Sequence, residues 1–504
     1  MKLLIISRLL FCCMLCSRFL GFFRDLCIAW VVGGGIAADI LACALRIPHL
    51  FRRLLAEGVL SSALTKVLVE NQSPSFLYVR FQKAVAYFLF IASLLVVIFA
   101  NPLAQFLAPS LPESWFERTA ALVSVTAPYI FFIGLAAVNM AYLHSRNVFW
   151  VSAVSPVVAN LVLLGCLAVI VMTDMDSVLL LVLGVSISGF AQWAFQSWMV
   201  HTSLKRLDAE KAACETKSVP VWGVLGRASV GIFACSAQHC TMFVAMIFLS
   251  QWGTGQVAAQ FYAERILELP FGLIGVSLGM ASLPLLSGLV VHGKQIAFQR
   301  SLTLALSWAW ILVLPASIGL AVVGEDLLLV LYAHGHFDIH AVEQTNTVLT
   351  IYAYSLPACV VAKVLTSACL AQRGEYFVAF TTCLCIMITV WFSAMGLYPP
   401  LVVGMVLWGQ AGLLWIWLCV FVKGLAQKMH FTFFVRVVFC ALCAGLVSKT
   451  LLVFWKASFG TVGFFGLIAV CLLTVLVWYL VLWLICRQNA NKLRMLLQRK
   501  MGIA

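Results

Sequence analysis

Long apolar segments separated by short polar ones recur along the whole chain. Stretches such as Tyr87–Ala100 and Leu161–Met172 are almost continuously apolar. The strands of a membrane barrel would alternate apolar and polar residues, whereas a helix that crosses the bilayer needs about 20 mostly apolar residues in succession. The pattern therefore predicts membrane-spanning helices.

The ends of these helices are predicted where charged residues, prolines and polar clusters interrupt the apolar segments. On this basis we expect about fourteen spans, each long enough for the hydrocarbon core. They cover residues 4–33, 36–66, 82–107, 119–143, 152–173, 178–202, 220–251, 255–288, 300–323, 341–371, 376–396, 399–424, 432–455 and 460–486. An even number of spans puts both termini on the same side of the membrane.

The composition supports the same class of protein. Of the 504 residues 63% are hydrophobic and 10% are charged, whereas a soluble domain is about half apolar and about a quarter charged. Most of the 18 cysteines lie inside apolar segments, where cysteine acts as a small hydrophobic residue. Residues 1–17 resemble a signal peptide but lack an A-x-A-like cleavage site, so we expect a retained first helix.

The distribution of charge predicts the topology. The chain carries a formal net charge of +14, and most of its bases lie at segment ends, which favours a membrane orientation signal over nucleic-acid binding. The proposed outside loops hold two bases, Arg118 and Lys456, and the proposed inside loops and C-terminal tail hold many. Because loops rich in Lys and Arg stay in the cytoplasm, we expect both termini to be cytoplasmic.

The longest hydrophilic stretch, His201–Arg227, is too short for a soluble domain and predicts a linker between two halves. We expect an N-terminal lobe of six helices over residues 1–203 and a cytoplasmic linker over 204–219. A C-terminal lobe over 220–428 and the last two helices with a basic tail over 429–504 would follow. Transporters often contain such halves.

The first apolar segments contain an unusual concentration of charge. Eight of the 40 residues between positions 18 and 57 are ionisable, five bases against three acids: Arg18, Arg24, Asp25, Asp39, Arg46, Arg52, Arg53 and Glu57. A basic side chain near the bilayer centre costs roughly 2.5–3.5 kcal/mol, and such residues usually line a polar cavity or pathway. The cluster therefore predicts a central cationic cavity between the two lobes of an all-α polytopic membrane protein.

Helical periodicity divides this cluster. Asp39, Arg46, Arg53 and Glu57 fit one stripe of a helix, with His49 beside it, and Arg52 lies about 100° away from the stripe. The stripe faces a cavity, forms internal ion pairs such as Arg53 with Glu57 four residues later, or does both. Arg18 and Arg24 suit phosphate because a guanidinium donates paired hydrogen bonds; the alternative for each is contact with lipid headgroups.

The second half of the chain has fewer intramembrane charges. Glu264, Arg265 and Glu268 share one predicted helix, and Glu268 can pair with Arg265 three residues earlier. Lys363 is isolated, and a structural and a functional role both stay open for it. His239 lies in an apolar helix without further ligands at metal spacing, which favours a hydrogen-bonded interior histidine over a metal site. His334 and His336 lie in a predicted outside loop, and we expect that loop to be solvated.

Three segments carry a family resemblance: SRFLGFFRD, GGGIAADILACALRIPHLFRRLLAEGVLSSAL and FYAERILELPFGLIGVSLGMASLPLLS. They closely resemble the MurJ (MviN) lipid II flippases of the multidrug/oligosaccharidyl-lipid/polysaccharide exporter superfamily. The resemblance covers essentially the full chain. It implies that the chain translocates undecaprenyl-pyrophosphate-linked peptidoglycan precursor from the inner to the outer leaflet of a bacterial cytoplasmic membrane by alternating access.

The resemblance also implies roles for particular residues. The substrate-binding arginines of the family correspond to Arg18, Arg24, Arg52 and Arg265. Residues expected to balance cavity charge or to act in gating are Asp25, Asp39, Arg46, Arg53, Glu57, Glu264, Glu268 and Lys363. The last two helices are expected to form a groove for the lipid tail.

Three positions depart from the family pattern. His49 stands where Asn is common, and Gly374–Phe377 replaces a Lys-Thr-Pro turn. Some members have a sodium-site Asp in the seventh helix, but Gln238–Val244 contains no acid. The sequence therefore gives no support for sodium coupling.

Three other functions are alternatives. A structural or signalling membrane protein would have no need of buried arginines. A drug or cation antiporter of the same superfamily would want a net acidic cavity, and a membrane enzyme acting on lipid-linked sugars would want clustered acids for a metal–pyrophosphate site. The chain has no GxxxxGK[ST] phosphate loop. We expect a transporter that is not an enzyme, has no metal and no cofactor, and works as a monomer. Its expected partners are lipid II, membrane lipids and the cell-wall synthesis machinery, with no nucleic acid.

Overall fold

The computed structural model describes residues 2–56, 59–70, 74–109, 112–173, 175–205, 221–422, 424–425, 431–459 and 462–500. Throughout these residues the regular structure is helical, with no strand, which confirms the predicted fold class. The α-helices are α1 Lys2–Val32, α2 Ile36–Ala56, α3 Val59–Glu70, α4 Pro74–Ile98, α5 Ala100–Leu107, α6 Glu113–Ser145, α7 Trp150–Met172, α8 Ser177–Lys205, α9 Val221–Ala234, α10 Ala237–Leu249, α11 Gln256–Pro270, α12 Ser277–Val291, α13 Gln295–Leu331, α14 Ile339–Ala371, α15 Glu375–Ala394, α16 Pro399–Phe421, α17 Phe431–Phe459 and α18 Phe464–Lys500.

Eleven helices in the described part of the chain are long and apolar enough to cross a membrane, and the bent pair α9–α10 is a twelfth candidate. The helices α1 and α2, which carry the N-terminal charges, are not among these candidates. The total of fourteen spans therefore stays a prediction.

Two predicted spans break at residues that the structure describes, and a third, expected over 36–66, is assigned to α2 and α3. The span expected over 82–107 is divided between α4 and α5, because Pro102 has no N–H to donate to the carbonyl of Ile98. The span expected over 220–251 bends by 65° between α9 and α10. At this bend the Thr382 hydroxyl donates to the Ala234 carbonyl over 3.1 Å, which supplies a partner to an oxygen at the end of α9.

The chain divides into two compact units. Unit 1 comprises Met1–Phe261, His334–Ala341 and Glu375–Pro399, and unit 2 comprises Tyr262–Ala333, Val342–Gly374 and Pro400–Ala504. Thus α15 groups with α1–α10, whereas the sequence division placed it in the C-terminal lobe. The boundaries of the functional lobes stay a prediction.

Helix α6 lies at the centre of unit 1 and packs against α2, α3, α4, α5 and α8. Its close packing against α4 depends on Gly134, where a Cβ atom would overlap the side chain of Leu89. A hydrogen-bonded series crosses the same interior, from the Tyr78 hydroxyl to Asn139 over 2.7 Å and from the Asn139 amide to Ser197 over 2.9 Å. The buried Tyr78 and Asn139 side chains therefore have partners inside the bundle, as burial requires.

In unit 2 the last two helices pack on α13. Two apolar clusters join the three helices, one around Leu452 and Val470 and the other around Ala441 and Trp478. The Lys456 ammonium lies 2.8 Å from the buried Asp326 carboxylate. These contacts fix α17 and α18 to α13.

Candidate functional site

Arg24 is held by two side chains on different helices. Its Nε and Nη2 atoms donate to Asp25 Oδ1 over 3.0 and 2.6 Å, and its Nη1 atom donates to Asn160 Oδ1 over 2.8 Å. The side chains of Arg24 and Asp25 are 18% and 9% exposed. The guanidinium is therefore oriented inside unit 1 with a carboxylate as its counter-ion.

Asn160 on α7 links Arg24 to an earlier turn of α1. Its Nδ2 atom donates to the Ser17 carbonyl over 3.1 Å, and Gly21 lies against its amide, so that a Cβ atom there would approach Nδ2 to 3.4 Å. Sequence reasoning missed Asn160. Its signal was present, because a lone amide introduces the continuously apolar segment Leu161–Met172.

The other two predicted N-terminal contact residues, Arg18 and Arg52, are half-buried. Neither makes an ion pair or hydrogen bond to a residue that the structure describes, in contrast to Arg24. Two half-buried cations without a described carboxylate partner are suited to an anion that comes from outside the chain.

Asp39 is 4% exposed and contacts the start of α11. Its Oδ2 atom accepts from the Gly255 amide over 2.6 Å and its Oδ1 atom accepts from the Ala258 amide over 2.7 Å. A carboxylate at a helix N-terminus satisfies unpaired N–H groups and interacts favourably with the helix dipole. This role differs from the charge stripe that helical periodicity assigned to Asp39, and sequence reasoning did not foresee it.

Arg53 of the same helix contacts α10. Its Nη1 atom lies 2.7 Å from His239 Nδ1. Arginine has no acceptor, so His239 Nδ1 accepts this bond and the imidazole is neutral here. His239 thus has an interior hydrogen bond, whereas Glu57, the sequence-predicted partner of Arg53, lies outside the described residues.

The remaining predicted residues of unit 1 have local contacts. Arg46 is half-buried on α2, and the His49 ring stacks on Phe261 with 6.2 Å between ring centroids. His334 and His336 have exposed side chains, and the His336 amide donates to the Trp30 carbonyl over 3.1 Å. The exposed side chains agree with a solvated loop, although its backbone is fixed to the end of α1.

In unit 2 the predicted pair on α11 is present. Arg265 Nη1 lies 3.6 Å from Glu268 Oε2, and both Arg265 and the neighbouring Glu264 are buried. Lys363 on α14 packs its aliphatic stem against Gly279 of α12. It makes no ion pair with a residue in the described ranges.

Eleven described helices that are long and apolar enough to cross a membrane, together with the oriented Arg24 and the buried Asp25 and Asp39, are typical of a multi-pass membrane transporter, because intramembrane ionisable groups mark transport pathways. The family model for the lipid II flippase MurJ matches residues 28–470. The chain therefore belongs to the MurJ lipid II flippase family.

Known relatives agree with this assignment. The chain is 26% identical to the probable lipid II flippase MurJ of Haemophilus influenzae over 388 residues, which cover 71% of this chain and 74% of the relative. It is 30% identical to the corresponding protein of Bdellovibrio bacteriovorus over 364 residues, or 68% of this chain and 66% of the relative.

Solved structures share the fold. A lipid II flippase MurJ in an inward closed conformation superposes with a TM-score of 0.77 at 18% identity, covering 96% of this chain and 99% of that one. A multidrug resistance MATE family transporter in an inward-facing conformation gives a TM-score of 0.63 at 14% identity, with 82% and 96% covered. The chain therefore shares its fold with both of these structures.

Proposed function

We propose that this chain translocates lipid II, the undecaprenyl-pyrophosphate-linked peptidoglycan precursor, from the inner to the outer leaflet of the bacterial inner membrane. Membership of the lipid II flippase family supports the substrate class. The observation that carries the mechanism is the oriented Arg24 guanidinium, which is held by Asp25 of α1 and Asn160 of α7. A planar guanidinium suits a pyrophosphate because it donates two parallel hydrogen bonds to phosphate oxygens.

The proposed site uses several cations. Arg18, Arg24, Arg52 and Arg265 would contact the pyrophosphate, and Asp25 would balance Arg24 when the substrate is absent. A bare dianionic headgroup cannot cross hydrocarbon at an acceptable cost. A cavity that opens alternately to each side removes that barrier.

The other charged residues would keep the cavity neutral or gate it. They are Asp39, Arg46, Arg53, Glu57, Glu264, Glu268 and Lys363. A membrane potential that is negative inside favours the outward movement of an anion and would help to drive the cycle. Collapse of the potential is then expected to slow transport, and transport that continues unchanged would exclude this driving force.

The lobes and partners are proposed on the same basis. The N-terminal lobe would cover residues 1–203, the C-terminal lobe 220–428, and the tail-binding helices the segment 429–504. The packing of α17 and α18 on α13 supports a fixed wall for a lipid tail. We further propose a monomer without enzymatic activity that works beside the cell-wall synthesis machinery.

Both termini are expected in the cytoplasm, because the bases cluster in alternate loops and in the C-terminal tail. A reporter enzyme that is active only in the periplasm, fused after Ala504, should be inactive. The same reporter inserted near Asp176, in a predicted outside loop, is the matched control and should be active. The reverse result would invert the topology.

The function is tested in cells that are depleted of their own lipid II flippase. Expression of this chain should restore growth and the amount of lipid II that is accessible in the outer leaflet. A chain that reaches the membrane at normal levels without restoring outer-leaflet lipid II would exclude the proposed substrate.

A further inference from the structure

The end of α6 places an arginine in a fixed position. Asn147 adopts a left-handed conformation with φ of 60°, and the amides of Asn147 and Val148 donate to the carbonyls of His144 and Leu143 over 3.0 and 2.9 Å. This pair of bonds closes the helix with a Schellman motif. The backbone of Arg146 is therefore fixed at the last turn of α6.

The Arg146 side chain reaches two hydroxyl groups. Its Nη2 atom lies 3.4 Å from both Ser75 Oγ and Tyr142 Oη, and these two oxygens lie 3.2 Å apart. The guanidinium carbon lies 5.4 Å from the centroid of the Tyr142 ring. Three polar groups from α4, α6 and the α6 cap thus converge on one point.

The contacts of Arg146 leave hydrogen-bonding capacity. Its Nε atom is buried and has no hydrogen-bond partner in the described structure, and the two hydroxyl contacts are long for hydrogen bonds to a charged donor. Within the described residues Arg146 has no carboxylate partner. A half-buried guanidinium with neutral partners attracts an anion, because buried charge is costly until it is paired.

The surroundings favour a lipid as the source of that anion. Phe76, Phe149 and Trp150 are 55%, 40% and 41% exposed beside Ser75 and Arg146 in the sequence. Aromatic side chains of this kind concentrate at the membrane–water interface. Arg146 is also in a predicted cytoplasmic loop, where the adjoining leaflet carries anionic lipids.

We propose that Arg146 and Ser75 form a binding site for the phosphate of an anionic phospholipid in the inner leaflet, and that the fully buried Tyr142 hydroxyl positions Ser75. The lipid phosphate would accept from Arg146 and from the Ser75 hydroxyl, and its acyl chains would lie along the exposed apolar surface of α4. The site is independent of the arginines proposed for lipid II.

Native mass spectrometry of the purified full-length chain in an uncharged detergent tests this site. Dioleoylphosphatidylglycerol is expected to bind about tenfold more tightly than dioleoylphosphatidylcholine, which corresponds to about 1.4 kcal/mol. Arg146→Gln should remove this preference. Arg118→Gln, which removes an exposed arginine in a predicted outside loop, is the matched control and should keep it within about twofold.

Tyr142→Phe and Ser75→Ala test the geometry if Arg146→Gln does not fold. Each removes one hydroxyl, and together they should weaken phosphatidylglycerol binding about fivefold. Glycerol 3-phosphate should not compete, because it lacks acyl chains. Equal losses in Arg146→Gln and Arg118→Gln, an unchanged lipid preference in the hydroxyl variants, or competition by glycerol 3-phosphate would each overturn the proposal.

Discussion

Arg24→Ala is expected to reduce lipid II translocation at least about tenfold, because a charge-assisted hydrogen bond contributes roughly 1.5–3 kcal/mol and 1.4 kcal/mol is a factor of ten. The variant also leaves Asp25 without its arginine inside the membrane. The measurement is outer-leaflet lipid II in cells that depend on the variant. Growth should fail when translocation falls below the demand of the cell wall.

Two variants separate charge from geometry. Arg24→Lys keeps the charge but loses the planar fork, so it should retain a small part of the activity. Asn160→Ala keeps Arg24 but removes one of the two contacts that orient it. This variant should weaken substrate binding with little change in the thermal unfolding temperature. Arg80→Ala is the matched control on α4. Normal translocation by Arg24→Ala at normal membrane levels would contradict a role for Arg24 in substrate binding.

Asp39→Ala is expected to destabilise the start of α11 strongly. The change leaves the amides of Gly255 and Ala258 without their acceptor in a buried place, and each such loss costs roughly 1–3 kcal/mol. The unfolding temperature in detergent should fall, and hydrogen exchange in a peptide that contains Gly255 and Ala258 should become faster. Translocation should fall with it.

Asp39→Asn provides the graded comparison. An amide oxygen accepts one of the two bonds, but the amide nitrogen cannot accept the other, so an intermediate effect is expected. Glu70→Ala, at an exposed acid at the end of α3, should leave the exchange of both amides unchanged. Unchanged exchange at Gly255 and Ala258 in Asp39→Ala would show that these bonds do not stabilise the helix start.

Apolar length and composition were sufficient to predict an all-helical fold, whereas the count of fourteen spans stays a prediction. The pairing of Arg265 with Glu268 followed from helical spacing, because the two residues lie three positions apart. The contacts of Asp39 with Gly255 and of Arg24 with Asn160 did not follow. They join positions more than 100 residues apart, and periodicity within one helix carries no information about the facing helix.

The breaks within predicted spans also differ in whether the sequence alone could have predicted them. Pro102 is a local chemical cause for the end of α4, because proline lacks the N–H of a helical hydrogen bond. A closer interpretation of the sequence would have predicted that break. The bend between α9 and α10 has no proline. The Thr382 hydroxyl of α15 donates to the Ala234 carbonyl at this bend. The two residues are distant in the sequence, so the sequence alone did not predict this contact.

The pair formed by Arg24 and Asp25 has a consequence for turnover. At the proposed site an arriving pyrophosphate would not meet an unpaired cation but would displace the carboxylate of Asp25 from Arg24. The net binding free energy is then the difference between the interaction free energies of the two anions with one guanidinium, which is smaller than that of the pyrophosphate alone. Such an exchange lets Asp25 recapture Arg24 as the headgroup departs, so that a site which captures a highly charged lipid on one side of the membrane can also release it on the other.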